Sequence, residues 1–263
     1  MIALTIAGSD SGGGAGIQAD LKTFSALGVY GASVITAITA QNTLGVSGVH
    51  AIPSEMVGAQ IDAVLGDLDV RAIKIGMVAE VAVIDTIAQR LSQAKIPVVL
   101  DPVMVATSGD RLISDGAEAA LRESLMPLAT VVTPNLPEAA VLLGCRKAES
   151  VAEMEDQARA LAAVGGAVLL KGGHLSDAES VDVLATRGHV SRVSAPRVDT
   201  RNTHGTGCTL SSAIAAQLAK GDDLGAAVEA AKSYVTGALK ASDRLKVGEG
   251  NGPVHHFHAL WQA

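Results

Sequence analysis

The alternation of short apolar runs with helical patterns constrains this chain more than any single motif. Apolar runs occur at Ile2–Ala7, Ala32–Thr39, Arg71–Ile75, Val98–Leu100, Val131–Thr133 and Val168–Leu170. Between them lie stretches with helical spacing at Ala15–Leu27, Ser54–Leu68, Val81–Ala94, Asp115–Leu125, Leu136–Leu143 and Val151–Val164. Ser54 is the expected N-cap of its helix. Continuous apolar strands separated by helices predict a parallel sheet covered on both faces. After Gly172 the pattern changes. Ser180–Ala185 and His189–Arg197 alternate like antiparallel strands about a Thr186-Arg187-Gly188 turn, and Gly205–Ala219 and Leu224–Leu245 predict two closing helices. The expected fold is a three-layer α/β/α sandwich. Its central sheet is mostly parallel, with an antiparallel edge near the C-terminal third. One domain is expected over 1–263, with a Gly/His-rich tail at 247–263.

Composition narrows the function classes. Apolar residues make up 48% of the 263, but aromatics only 2%, so the core must be built of Ala, Val, Ile and Leu. A net charge of −7 argues against a nucleic-acid surface, which would need a basic stripe. The two cysteines, Cys145 and Cys208, form no disulfide framework. The N-terminus lacks a basic region before its apolar run, and no run is long and uncharged enough to span a bilayer. The expected setting is the cytoplasm, with a small-molecule substrate and no membrane or nucleic-acid partner.

Polar residues follow the strands directly, where open α/β sheets bind ligands. They are Gly8-Ser9-Asp10 with the glycines to Gly16, then Gln41-Asn42, Lys74 to Met77, Asp101-Pro102-Val103, Asn135 to Glu138, and Lys171 to His174. The sharpest stretch is Asn202-Thr203-His204-Gly205-Thr206-Gly207-Cys208, which opens a small-residue helix. A glycine turn at a helix start presents unpaired N–H groups and the positive dipole end, so it can hold a phosphate. The same field favours a thiolate at Cys208, although a free cysteine is as readily a core residue. Asn135 and Glu138 share one helical face, suited to water-mediated Mg²⁺ binding or to a capping box. Lys171 can place a point charge on a phosphate.

Several readings are weaker. Gly14-Ala15-Gly16-Ile17-Gln18-Ala19 fits a relaxed dinucleotide fingerprint, but no Asp or Glu lies between Asp20 and Glu55 to hold a ribose. A P-loop is excluded because no Gly-Lys dipeptide occurs. His255, His256 and His258 lack partners at zinc spacing and are read as tail. His204 is expected to shape its loop.

The stretches Gly8–Asp20, Thr36–Asn42, Lys74–Met77, Asp101–Met104 and Asn202–Ala216, with Gly252–His258, together resemble the bacterial hydroxymethylpyrimidine/phosphomethylpyrimidine kinases of thiamin synthesis, within the ribokinase-like superfamily. The resemblance implies an ATP- and Mg²⁺-dependent phosphotransferase and a homodimer. Such an enzyme phosphorylates 4-amino-5-hydroxymethyl-2-methylpyrimidine and then its monophosphate. It implies Gln41, Gly8, Asp20, Met77 and Val103 around the pyrimidine. Backbone N–H groups of Gly205, Thr206, Gly207 and Cys208 would hold the moving phosphoryl, with Lys171 beside it. Asn135, Lys171, Thr203 and Lys232 would hold the nucleotide. Asp101, Asn135 and Glu138 would organise Mg²⁺. Cys208 would take or orient the hydroxyl proton, at a position where most ribokinase-like sugar kinases carry Asp. A pyridoxine/pyridoxal kinase of the same superfamily is the alternative, and a dinucleotide-binding oxidoreductase a more distant one.

Overall fold

A computed structural model describes residues 1–104, 113–114, 116–173 and 179–261. Nine strands form one sheet in the order β3-β2-β1-β4-β5-β6-β7-β8-β9. They are β1 Ile2–Asp10, β2 Tyr30–Asn42, β3 Gly45–Ala51, β4 Val70–Ile75, β5 Val98–Leu100, β6 Val131–Val132, β7 Ala167–Leu170, β8 Glu179–Thr186 and β9 His189–Pro196. The six strands from β2 through β1 and β4 to β7 run parallel. β3, β8 and β9 are antiparallel. The C-terminal antiparallel edge was expected. The second one, β3, was not, because Gly45-Val46-Ser47-Gly48-Val49-His50-Ala51 is largely solvent-facing and carries no apolar alternation. The stretch 41–53 is therefore in large part a sheet edge. Asp115 and His174, named above from the sequence, lie outside the described residues.

Strand alternation divides the core. Leu4, Ile6, Ile73, Ile75, Val98, Leu100 and Val132 face one cluster. It is covered by α2 (Ser54–Asp67), α3 (Val81–Leu91), α5 (Leu136–Leu143) and α6 (Val151–Ala162), with the short α4 (Ala117–Ala120) beside them. Ala3, Ala72, Val99, Val131 and Leu169 face the other cluster, under α1 (Gly16–Ala26), α7 (Thr206–Lys220) and α8 (Leu224–Lys240). Thr209 through Ala216 of α7 are all buried. A helix enclosed on every side needs small side chains, which Ser211-Ser212-Ala213 and Ala215-Ala216 supply.

Several features depart from expectation, most visibly at helix ends and in the C-terminal segment. Pro53, not Ser54, holds the N-cap position of α2, and its side chain makes no cap bond. The helix expected to Leu125 leaves α-geometry at Leu121, widens to a π-helical turn over Leu121–Leu125 and closes as a 3₁₀ turn at Met126–Leu128. Pro127 cannot donate to a continuing helix. The last helix stops at Lys240, with a 3₁₀ turn at Ser242–Arg244. The presumed tail is built into the fold: Val254, His255 and His256 are buried. His255 N–H donates to the Ala238 carbonyl at 3.1 Å and the Tyr234 hydroxyl to the His256 carbonyl at 2.7 Å. Among the described residues, no helix is long and apolar enough to cross a membrane.

Candidate active site

The carboxyl ends of the parallel strands open on a cavity of about 670 Å³. Gly8, Gln41, Met77 and Val103 line it, together with Asp101, Lys171, Gly205–Cys208, Thr203, Lys232, Val235 and Leu239. The crevice position is the one this sheet topology dictates.

The centre is the start of α7. Gly205 caps it at φ +77°, a left-handed conformation, and a Cβ there would lie 1.9 Å from the Gly14 carbonyl oxygen. Only glycine meets both demands. The Thr206 amide is turned back to the Thr203 carbonyl at 3.2 Å. Thr206 was expected among the anion donors, so this amide is partly spent. The amides of Gly205, Gly207 and Cys208 have no acceptor among the described residues. Helix geometry leaves such first-turn donors free for an anion. Gly207 sits against the charged pair below it: its Cβ position is 3.3 Å from Lys171 Nζ and 3.6 Å from Asp101 Oδ2.

Lys171 Nζ donates to Asp101 Oδ1 at 2.8 Å, and the Thr133 and Ser211 hydroxyls donate to the same carboxylate at 3.2 and 3.3 Å. Burial alone would push the Asp101 carboxyl up, but Lys171 and Lys74 outweigh it and hold it below the ordinary range. Burial works against the Lys171 cation, yet Asp101 and Glu138 keep its pKa raised. Lys171 is therefore an enclosed cation, not a surface one.

Asn135 and Glu138 form the capping box of α5. Asn135 Oδ1 accepts from Glu138 N at 2.9 Å, and Glu138 Oε2 accepts from Asn135 N at 2.8 Å. Both side chains are thus committed in part to the helix start. Burial, opposed by Lys171 and reinforced by Asp101, raises the Glu138 carboxyl to about 7.

Cys208 corrects an expectation. The helix terminus was expected to lower its pKa. Burial instead pushes the thiol up to about 11, with Lys74 and the Gly16 amide only partly offsetting the burial, Asp20 and Asp101. Asp20 is a second correction. It does not line the cavity but lies fully buried beneath it. Its carboxylate accepts from Lys74 Nζ at 2.9 Å to each oxygen, from Thr5 Oγ1 at 2.6 Å and from Ser212 Oγ at 2.6 Å. The strand alternation held the missed signal: Lys74 lies on the same inward face as Ala72, and a lysine there demands a buried anion.

Gln41 Oε1 accepts from Thr39 Oγ1 at 3.1 Å, and the Gln41 backbone N–H donates to Ser11 Oγ at 2.8 Å. A Cβ on Gly8 would lie 2.3 Å from Met77 Cε, so glycine lets Met77 lie across the pocket wall. Lys232 Nζ, also on the cavity wall, is paired with Asp182 Oδ2 at 2.7 Å and with Ser180 Oγ at 3.0 Å. Its charge is neutralised before any ligand arrives. His255, His256 and His258 form no metal cluster; among the described residues no group of three potential ligands exists. His204 shapes its loop as expected, through a 2.8 Å bond to Asp10.

A crevice at strand ends, a helix start with free amides and an adjacent lysine are the working parts of a phosphotransferase on the ribokinase-like fold. The comparisons specify the family. A model described as phosphomethylpyrimidine kinase matches residues 10–255. The hydroxymethylpyrimidine/phosphomethylpyrimidine kinase of Rhizobium meliloti (strain 1021) is 60% identical over 99% of this chain and 98% of its own. The thiamine biosynthesis bifunctional protein ThiED of Geobacter sulfurreducens is 51% identical over 97% of this chain and 52% of its own length. The crystal structure of an ADP complex of Bacillus subtilis pyridoxal kinase superposes with a TM-score of 0.91 at 38% identity, covering 99% of each chain. The chain belongs to the phosphomethylpyrimidine kinase family. The oxidoreductase alternative falls with that finding.

Proposed function

We propose that this kinase transfers the terminal phosphoryl group of ATP to the hydroxymethyl group of 4-amino-5-hydroxymethyl-2-methylpyrimidine, and then a second one to the monophosphate. The observation that carries the reading is one continuous cavity. It joins the Gln41 pocket to the free amides of α7 and to the Lys171–Asp101 pair. The names of the relatives support it.

In this reading Gln41, Gly8, Met77 and Val103 hold the ring; an amide suits an aminopyrimidine edge because it donates and accepts. Thr203, Lys232, Val235 and Leu239 border the nucleotide. The amides of Gly205, Gly207 and Cys208 donate to the phosphoryl oxygens, where a comparable donor is worth about 2.7–4 kcal/mol. Lys171 supplies positive charge. The neutral Cys208 thiol orients the attacking hydroxyl through its sulfur, and the hydroxyl proton leaves late, to an oxygen of the transferred phosphoryl group, because a loose transition state asks little of a base.

Asp101 and Glu138 fit Mg²⁺. They are two interacting carboxylates on the cavity wall, a donor set suited to an ion that keeps most of its waters. Asn135 would add a backing contact. When bound, the ion would neutralise phosphate oxygens.

A coupled ADP-release assay with the free pyrimidine, its monophosphate and pyridoxine tests the proposal. Both pyrimidines should be consumed; turnover of pyridoxine alone would refute it. Pyridoxine or pyridoxal is the second reading, favoured by the 0.91 TM-score to the Bacillus enzyme. We place the enzyme in the cytoplasm as a homodimer, which the exposed Tyr30, Leu44, Val49 and Met56 support. Sedimentation at monomer mass would refute the dimer.

A further inference from the structure

We propose that Asp10 and His204 form a latch that holds the loop after β1 and the turn before α7 in one register, with His204 as a positioning residue for phosphoryl transfer. The inference rests on the kinase reading above.

Asp10 ends β1 and is almost fully buried. Its carboxylate organises the glycine loop: Oδ1 accepts from Gly12 N at 2.8 Å, and Oδ2 from Gly14 N at 3.0 Å and Ala15 N at 2.8 Å. Ala15 is the N-cap of α1, so one carboxylate terminates both the loop and that helix start. The fourth bond leaves the loop. His204 Nε2 meets Asp10 Oδ2 at 2.8 Å across 194 residues of sequence. An ionised carboxylate only accepts, so the ring donates through Nε2.

The other side of the latch is equally fixed. His204 N–H donates to the Gly252 carbonyl at 3.0 Å, and Val254 N–H to the His204 carbonyl at 3.4 Å. The C-terminal segment therefore clamps the His204 backbone on both sides. Farther along, Thr209 Oγ1 caps the Gly205 carbonyl at 2.8 Å and meets His256 Nε2 at 3.1 Å. With the backbone held, the imidazole cannot swing without breaking its bond to Asp10.

What the latch controls is next in the chain. Gly205 follows His204 and starts the anion turn, and it already touches the Gly14 carbonyl. Gly14 in turn leaves room for the His204 ring, whose Cδ2 lies 2.4 Å from a Cβ position there. The wall of the Gln41 pocket and the phosphoryl donors are thus one assembly. The alcohol and the phosphorus must meet in line, and a displacement of about 1 Å can cost about 10²-fold in rate.

The test compares His204→Ala with His204→Gln, whose amide nitrogen can take the place of Nε2. His204→Ala should lower kcat roughly 10–100-fold with little change in either KM, and His204→Gln should recover most of it. Equal losses in the two variants, or wild-type kcat in His204→Ala, would overturn the latch. If His204→Ala does not fold, Asp10→Asn replaces it, with the same expected loss of kcat. Amide exchange in the ligand-free proteins reads the latch without turnover. The Gly12, Gly14 and Ala15 amides should exchange faster in His204→Ala than in His204→Gln, and unchanged exchange would overturn the proposal. Failure of the wild type to phosphorylate the pyrimidine would instead sink the kinase reading.

Discussion

Replacing Lys74 by Met breaks the most deeply buried ion pair near the site. Lys74 and Asp20 have side chains fully withdrawn from solvent. No solvent screening discounts their interaction, unlike the exposed Arg71–Asp69 pair. Met matches the lysine stem and fills its volume, so little cavity is created. What remains is a buried carboxylate holding only the Thr5 and Ser212 hydroxyls. Removing one partner of such a pair costs about 3–5 kcal/mol, because the other charge is left uncompensated. For a chain of this size, that lowers Tm by about 6–20 °C. Urea unfolding followed by circular dichroism measures it, with an unchanged m-value as the sign that only stability moved. Lys74→Met with Asp20→Asn should recover most of the loss, since no buried charge then stands alone. A loss below about 1 kcal/mol, or a double variant no better than the single one, would refute the reasoning. The same substitution removes the cation that draws down the Cys208 thiol, so alkylation of Cys208 should slow at fixed pH.

Other perturbations read the site directly. With its thiol near 11, Cys208 should be alkylated about tenfold faster per pH unit from 8 to 10; a plateau below pH 9 would show that the thiolate is populated and the burial argument wrong. Glu138 has a folded-state pKa raised from 4.5 to about 7, so its contribution to stability is complete below 4.5 and lost as pH rises through 7. Wild type should therefore lose up to about 3 kcal/mol relative to Glu138→Gln between pH 4 and 8, a substitution that keeps the capping box. Saturating Mg²⁺ should flatten that slope in wild type alone, and parallel stability curves would refute the assignment. Gly205→Ala must place a methyl on the Gly14 carbonyl at a positive φ; kcat should fall at least about 10²-fold, and retained turnover would remove this turn from catalysis.

Much of the fold was legible because strand and helix periods are local properties. Val98–Leu100 and Leu136–Leu143 have the bounds read from sequence. β3 escaped because both its faces meet solvent and its glycines erase any alternation. The tail misled because glycine and histidine composition reads as solvent-exposed. Yet Val254 and His256 are buried, and His256 is bonded to Thr209 of α7 and Tyr234 of α8, which no local pattern encodes. Around the site, Gln41, Lys171 and Gly205–Cys208 announced themselves by following strands or opening a helix. Asp20 did not reveal that it belongs to Lys74, because that pairing spans 54 residues.

The amino-acid sequence alone determined the layered α/β architecture, the crevice at the strand ends and the turn that opens α7. Each follows from periodicity or from a glycine's freedom within a few residues. Tertiary structure decided the charge states: a neutral Cys208 thiol, a Glu138 carboxyl near neutrality and a Lys74–Asp20 pair hidden below the floor. Protonation depends on burial and on charges brought together across the fold. Desolvation and Coulomb energies act through space, where distance along the chain carries no information.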